Sequence, residues 1–98
     1  MILKTPCFVQ FSNVQCDIRG FHVCSGDVVK PGDYLAELRY EVLDDKYSDC
    51  PIVYYGDLVA AGGGVVRRVE DHRSGPMGMI LGEIGDEEGD FPVRFVVL

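Results

Sequence analysis

The sequence has no tryptophan, and no apolar run in it approaches the roughly 20 residues that a membrane-spanning helix needs. Positive charge is also scarce, because 9 Lys and Arg residues face 16 Asp and Glu residues and the formal net charge is −7. Such a chain lacks the basic surface that binds the phosphates of nucleic acids or of anionic lipids. We therefore expect neither a nucleic acid nor a membrane among its partners.

Paired cysteine motifs are missing as well. The four cysteines are Cys7, Cys16, Cys24 and Cys50, and no two of them have the C-x-x-C spacing that is common in zinc and redox sites. Residues 1–6 are not followed by the apolar segment of a secretory signal. These features predict free thiols in the reducing cytoplasm and no stoichiometric metal.

What is present is a mixture of 12 glycines, 5 prolines and 47% hydrophobic residues, arranged as short apolar runs between turn signals. This pattern is typical of an all-β domain, which we expect to span residues 1–98 with seven or eight strands. The predicted strands are residues 8–11, 17–23, 34–42, 52–55, 58–61, 65–69, 79–84 and 93–98. Between them, Lys30 to Asp33 and Gly56-Asp57 are interpreted as turns and residues 44–51 as a loop.

The segment 34–42 admits two interpretations. Its apolar residues alternate with charged ones, with Leu35 as the exception, which favours a strand. The alternative is a helix that begins after Asp33 and buries Leu35, Leu38 and Val42. We favour the strand because the helix would place Arg39 on its buried face.

An internal repeat relates residues 23–38 to residues 69–84, which lie 46 positions later, without a gap. The identical pairs are Val23/Val69, Gly32/Gly78, Leu35/Leu81 and Glu37/Glu83. Each copy has the pattern of a strand, a tight turn and a second strand. The repeat therefore predicts two pseudo-symmetric halves that bury each other's apolar face in a small flattened barrel or sandwich.

Residues 21–38 resemble the first half of a biotinyl/lipoyl carrier domain, because Gly26 to Leu35 follow that family's pattern G-D-x-V-x-x-G-D-x-L. Residues 57–83 are similar to its second half, with Gly64-Val65-Val66 in a glycine-containing segment of the family. The resemblance covers residues 16–84. It implies a barrel-sandwich hybrid of two short sheets related by a pseudo-two-fold axis.

The same resemblance implies a lysine that carries the cofactor at the tip of a hairpin between the halves. The Met-Lys-Met of biotin carriers is absent here. Lys46 follows Asp45, as in the Asp-Lys-Ala of lipoyl domains, but Tyr47 comes next and Leu38 lies eight residues before it. We therefore expect a non-catalytic binding or assembly module without a cofactor. A lipoyl or acyl carrier that is modified at Lys46 is the alternative.

Other chemical interpretations rest on fewer residues. His22, Cys24 and Cys16 are the residue types that bind zinc, although their spacing matches no common zinc motif. A Cys24–His72 nucleophile pair would need a base in hydrogen-bond reach and an oxyanion hole. A small-ligand barrel would use the tyrosines as stacking surfaces, and these are Tyr34, Tyr40, Tyr47, Tyr54 and Tyr55. We expect these residues to be structural.

Residues 91–98 form the most apolar end of the chain and lie outside the repeat, with Arg94 as their one charged side chain. A long apolar strand at an open sheet edge invites pairing. We expect it to pair either with residues 8–11 or with a second subunit. The second outcome predicts a homodimer or a higher even oligomer, with Phe91, Val93, Phe95 and Val97 at or near the interface.

Overall fold

The computed structural model describes residues 1–43, 52–70 and 74–98. These residues form nine strands and no helix, which confirms the all-β prediction with a slightly higher strand number. The strands are β1 (Ile2–Lys4), β2 (Val14–Phe21), β3 (Val28–Val29), β4 (Tyr34–Val42), β5 (Ile52–Ala60), β6 (Gly64–Val69), β7 (Ser74–Pro76), β8 (Ile80–Ile84) and β9 (Val93–Val97).

Two antiparallel sheets enclose one core. The first has the strand order β1-β8-β6-β3, and the second has the order β7-β2-β4-β5-β9. Both sheets contribute to a single cluster of buried side chains between them. The largest fully buried members are Tyr40, Leu3, Leu35, Leu38, Leu58, Leu81 and Ile84.

Strand β4 shows why the alternation in the sequence predicts a strand here. Leu38, Tyr40 and Val42 are buried, whereas Arg39 and Glu41 lie half-buried on the opposite face. Successive side chains of a strand point to opposite faces, so one face fills the core and the other meets solvent. The strand interpretation of residues 34–42 is therefore confirmed.

The predicted strand at residues 8–11 is wrong. This segment forms a turn in which the Phe11 amide donates to the Phe8 carbonyl oxygen at 3.3 Å. The apolar character of Phe8 and Phe11 has another cause, since both rings pack against Tyr54. The first strand is instead β1, which pairs with β8.

The turn predicted at Gly56-Asp57 is also wrong, because β5 runs straight through it. A Cβ atom at position 56 would collide with the Val96 carbonyl oxygen and the Phe95 ring. The glycine therefore permits the close approach of β9 and does not turn the chain.

Equivalent strand pairs reveal the expected pseudo-symmetry. Strands β2, β3 and β4 of the first half correspond to β6, β7 and β8 of the second. The pairing of β2 with β4 is repeated by that of β6 with β8, and the pairing of β3 with β6 is repeated by that of β7 with β2. The partners Ile18 and Leu38 in the first half correspond to Val66 and Ile84 in the second. In both pairs the register shifts directly after this contact, so the two halves share the same β-bulge.

The gapless alignment needs one correction. Leu38 and its equivalent Ile84 are 46 residues apart, but Ile18 and its equivalent Val66 are 48 residues apart. The connection between β2 and β3 is two residues longer than that between β6 and β7. The offset of 46 is therefore right for β3, β4, β7 and β8, and the equivalence of Val23 with Val69 is wrong.

Two successive turns give a physical account of the repeated Gly-Asp pattern. Gly26 and Gly32 have φ angles of 96° and 95°, which side chains rarely adopt. The Asp27 carboxylate accepts a hydrogen bond from the Cys24 amide at 2.8 Å, and the Asp33 carboxylate accepts one from the Lys30 amide at 2.9 Å. The predicted turn at Lys30 to Asp33 is confirmed.

Candidate functional site

Strand β9 is anchored to the body of the domain. Phe95 lies opposite Leu58 on β5, and its ring centroid is 5.1 Å from that of Tyr40 and 5.8 Å from that of Phe8. Before the strand, Phe91 is 3% exposed, and its amide donates to the Ile2 carbonyl oxygen at 2.8 Å. Contacts within the single chain therefore hold the backbone of β9 in place.

The four residues predicted at an interface have different surroundings. Phe91 is buried in the chain's own core, and Val93 and Phe95 are half-buried against that core. Val97 is 54% exposed. Pairing of this strand with residues 8–11 is wrong, because β9 pairs with β5.

The outer edge of β9 presents main-chain groups to solvent. The Ala61 amide donates to the Pro92 carbonyl oxygen and the Leu98 amide donates to the Tyr55 carbonyl oxygen, both at 2.9 Å. In an antiparallel pair only alternate residues bond to the neighbour, so the even-numbered residues of this segment face β5. Val93, Phe95 and Val97 therefore direct their N–H and C=O groups away from β5, to an edge that no described strand covers.

The other three sheet edges are blunted. Strand β1 has three residues and a register shift beside Lys4, β3 has two residues, and β7 has three residues and ends at Pro76. Short strands, bulges, lysine and proline are the devices by which natural sheets avoid edge pairing. Strand β9 has five residues, no register shift and no proline within the strand. It is the edge best suited to strand addition.

The outer face beside this edge is partly apolar. Val96 is 44% exposed and Leu98 is 76% exposed. Next to them, the guanidinium groups of Arg19 and Arg39 lie over the Tyr55 ring, 5.2 Å and 5.9 Å from its centroid. Val96 lies opposite Asp57 on the same face. This patch continues the exposed edge onto the face of the five-stranded sheet.

A separate surface feature is an open groove of about 860 Å³ near the turns of the first half. Its lining residues are His22, Val23, Asp27, Val28, Gly32, Asp33, Tyr34, Glu37 and Asp57. Asp27 and Asp33 already accept the turn hydrogen bonds, so they have a structural role. The groove is acidic, but none of its lining residues, all of them described, belongs to a group of side chains that could hold a metal ion.

The proposed zinc ligands are not brought together. Cys16 is buried opposite Tyr40, whereas His22 and Cys24 are exposed beyond the end of β2. His22 lies six positions after Cys16 along a mostly extended chain, which separates the two residues by roughly 20 Å. Within residues 1–43, 52–70 and 74–98, no three His, Cys, Asp or Glu side chains form a group that could hold a metal ion.

The described tyrosines do not share one surface. Tyr40 is fully buried, and its hydroxyl donates to the Pro6 carbonyl oxygen at 2.8 Å. Tyr54 packs on Phe8, while Tyr34 lines the groove and Tyr55 lies on the outer face of the sheet. These four tyrosines therefore do not form the common stacking surface that the small-ligand hypothesis needs.

Lys46, Tyr47 and His72 lie outside the described residues, so the structure tests neither the carrier hypothesis nor the Cys24–His72 alternative. Sequence reasoning missed Asp57 and Val96 as surface residues beside the edge. The alternation along residues 93–98 places Val96 on the same face as Arg94. That this face is the solvent-exposed one follows only from the pairing of β9 with β5.

Comparisons with models of known families, with curated proteins and with solved structures found no match. Among the residues that the structure describes, no helix is long and apolar enough to span a membrane.

Proposed function

We propose that this chain is a non-catalytic assembly module with a biotinyl/lipoyl-like β fold, which associates with itself as a homodimer or a higher even oligomer. The observation that carries the proposal is the edge of β9, which is regular, preformed and apolar except for Arg94, while the other sheet edges are blunted. An exposed edge of this kind pairs readily with another strand.

The internal symmetry supports the likeness to carrier domains. The two halves share their strand pairing and their bulges, and the Gly-Asp pattern coincides with two turns of the same hydrogen bonding. The exposed thiols of Cys7 and Cys24 are free, which supports a cytoplasmic location.

The test uses light scattering on the full chain and on a variant that blocks the edge. In Val97→Pro, the lost amide is one that faces the free edge, so the bonds between β9 and β5 stay intact. We expect the wild-type chain to be dimeric or larger at tens of micromolar and Val97→Pro to be a folded monomer. Val97→Thr, which keeps the amide and the branched Cβ, is the matched control.

Two results would contradict the proposal. The first is a wild-type chain that stays monomeric up to several hundred micromolar, because such a chain does not associate with itself. A Val97→Pro variant that keeps the wild-type oligomer shows that the interface lies elsewhere.

The second candidate function is a lipoyl or acyl carrier modified at Lys46. The favouring observation is that β4 and β5, nine residues each, pair up to Val42 and Ile52, and Lys46 lies in the sequence between these two paired strands. Intact mass of the chain expressed with a lipoylating or biotinylating enzyme decides between the candidates. A discrete mass increase that disappears in Lys46→Arg would establish the carrier, and an unmodified chain supports the assembly module.

A further inference from the structure

We infer that two copies of this chain join by antiparallel pairing of β9 with the partner's β9, with the two-fold axis at Phe95. The inference rests on the proposed function and specifies its interface. The two five-stranded sheets then form one continuous sheet, with β5 and β9 of one copy followed by β9 and β5 of the other.

The positions of the free main-chain groups select the register. Only Val93, Phe95 and Val97 direct their N–H and C=O groups to the open edge, so hydrogen-bonded pairs across the axis must join these residues. An axis at Phe95 places Phe95 opposite the partner's Phe95. It also places Val93 opposite the partner's Val97 and Val97 opposite the partner's Val93. That register makes about six backbone hydrogen bonds, whereas an axis at Arg94 or Val96 makes about four.

Charge complementarity on the outer face favours a second copy as the occupant. In this register Val96 lies opposite the partner's Arg94, and Asp57 lies on the other side of Val96. Two strand spacings, about 10 Å, separate the backbones of Asp57 and the partner's Arg94, which the two side chains together can span over the small Val96. Among the described residues, neither Arg94 nor Asp57 takes part in an ion pair.

The two-fold axis makes this contact occur twice, because each copy supplies one Arg94 and one Asp57. Arg94 is the one charged residue of β9, and on an isolated edge it would discourage strand addition. In this arrangement it has an acidic partner, so the same residue that resists pairing with unrelated strands favours pairing with this chain.

Apolar burial adds to the same contact. The exposed Val97 packs beside the partner's Val93, and the exposed Leu98 approaches the partner's Pro92. Phe91 and Phe95 already hold β9 in place, so little conformational freedom is lost on association.

The experiment uses two single variants of the full chain, Asp57→Arg and Arg94→Asp. Each homodimer would place like charges at both contacts, so we expect its dissociation constant to rise at least about tenfold. A mixture of the two variants restores opposite charges at both contacts. We therefore expect heterodimers with nearly wild-type affinity, which sedimentation measures and native mass spectrometry identifies by mass.

The mixing step separates an intermolecular contact from an intramolecular one, because an Arg94–Asp57 contact within one chain cannot be repaired by adding another chain. If the wild type is dimeric and Val97→Pro is monomeric but mixing rescues nothing, the register is overturned while the proposed function stands. If the wild type is monomeric, both fall. Circular dichroism of each variant verifies that it is folded.

Discussion

Gly26 and Gly32 each occupy the third position of a four-residue turn. The fourth residue of each turn is an aspartate, whose carboxylate accepts a hydrogen bond from the amide of the first residue. The glycine supplies the positive φ, and the aspartate satisfies an amide that would otherwise face solvent. At the scale of the residue, the Gly-Asp pattern is therefore a requirement of chain reversal and not of chemistry.

Replacing Gly32 by alanine should destabilise the domain by about 1–3 kcal/mol, because a Cβ is strained at a φ of 95° even where space is open. Gly20→Ala is the matched control, since it too has open space but no positive φ. Urea unfolding of both variants measures the difference. Equal stabilities for the two would show that the turn tolerates a side chain.

The surroundings of Cys16 make its thiol chemically unreactive. It is buried in the core opposite Tyr40, and burial raises the pKa of its thiol from 9.0 to about 11, with a smaller opposing effect from the hydrogen bond with Tyr40. A thiolate is the reactive form, so Cys16 should be inert towards alkylation in the native state at pH 8.

The same shift predicts a loss of stability in alkali. Below pH 9 the Cys16 thiol is mostly neutral in both the folded and the unfolded chain. Above pH 9 the thiol ionises in the unfolded chain but stays neutral in the folded chain, so the free energy of unfolding falls as the pH rises from 9 to 11. We expect about 1 kcal/mol of this loss by pH 10. Urea unfolding at pH 8 and pH 10 measures it, and Cys16→Ala should show a correspondingly smaller decline. Equal declines would contradict the assignment.

At the scale of the element, β9 depends on a gap in β5. The absence of a side chain at Gly56 lets the Phe95 ring cross β5 and reach Tyr40. A strand outside the internal repeat thereby becomes part of the core, and its two faces acquire different environments.

The Gly56→Ala substitution should destabilise the domain by about 2 kcal/mol or more, because the new Cβ would meet the Val96 carbonyl oxygen, which cannot move without displacing the strand. Amide exchange should accelerate most within residues 93–97. Gly20→Ala again serves as the control, and unchanged exchange in β9 would refute the role given to Gly56.

At the scale of the whole molecule, the two halves are interlocked. Strand β3 of the first half pairs with β6 of the second, and β7 of the second pairs with β2 of the first. Each half thus completes a sheet edge of the other, and the described residues share one core. Neither half can bury its apolar face alone.

A fragment of residues 1–62 should therefore be unfolded in isolation, as should residues 63–98, because the first lacks the partners of β1 and β3 and the second lacks those of β7 and β9. Mixing the two should restore the native β signal in circular dichroism. The intact chain should unfold in one cooperative transition. A fragment with dispersed amide resonances of its own would contradict this interdependence.

Features that depend on neighbours in the chain were predictable from the sequence. The alternation in β4, the turn at Lys30 to Asp33 and the repeat from β3 onwards all follow from side-chain periodicity and local backbone preference. The existence of an apolar strand near residues 91–98 was predictable for the same reason.

Features that depend on distant partners were decided by the tertiary structure. The residues Phe8 and Phe11 have the composition of a strand, but their rings are needed to cover Tyr54 from a turn. Gly56 has the character of a turn residue, but it admits β9. The direction in which Arg94 and Val96 point, and the open edge beside them, follow from the pairing of β9 with β5. Strand pairing is non-local, so local propensity carries no information on which strand becomes the neighbour and which edge stays open.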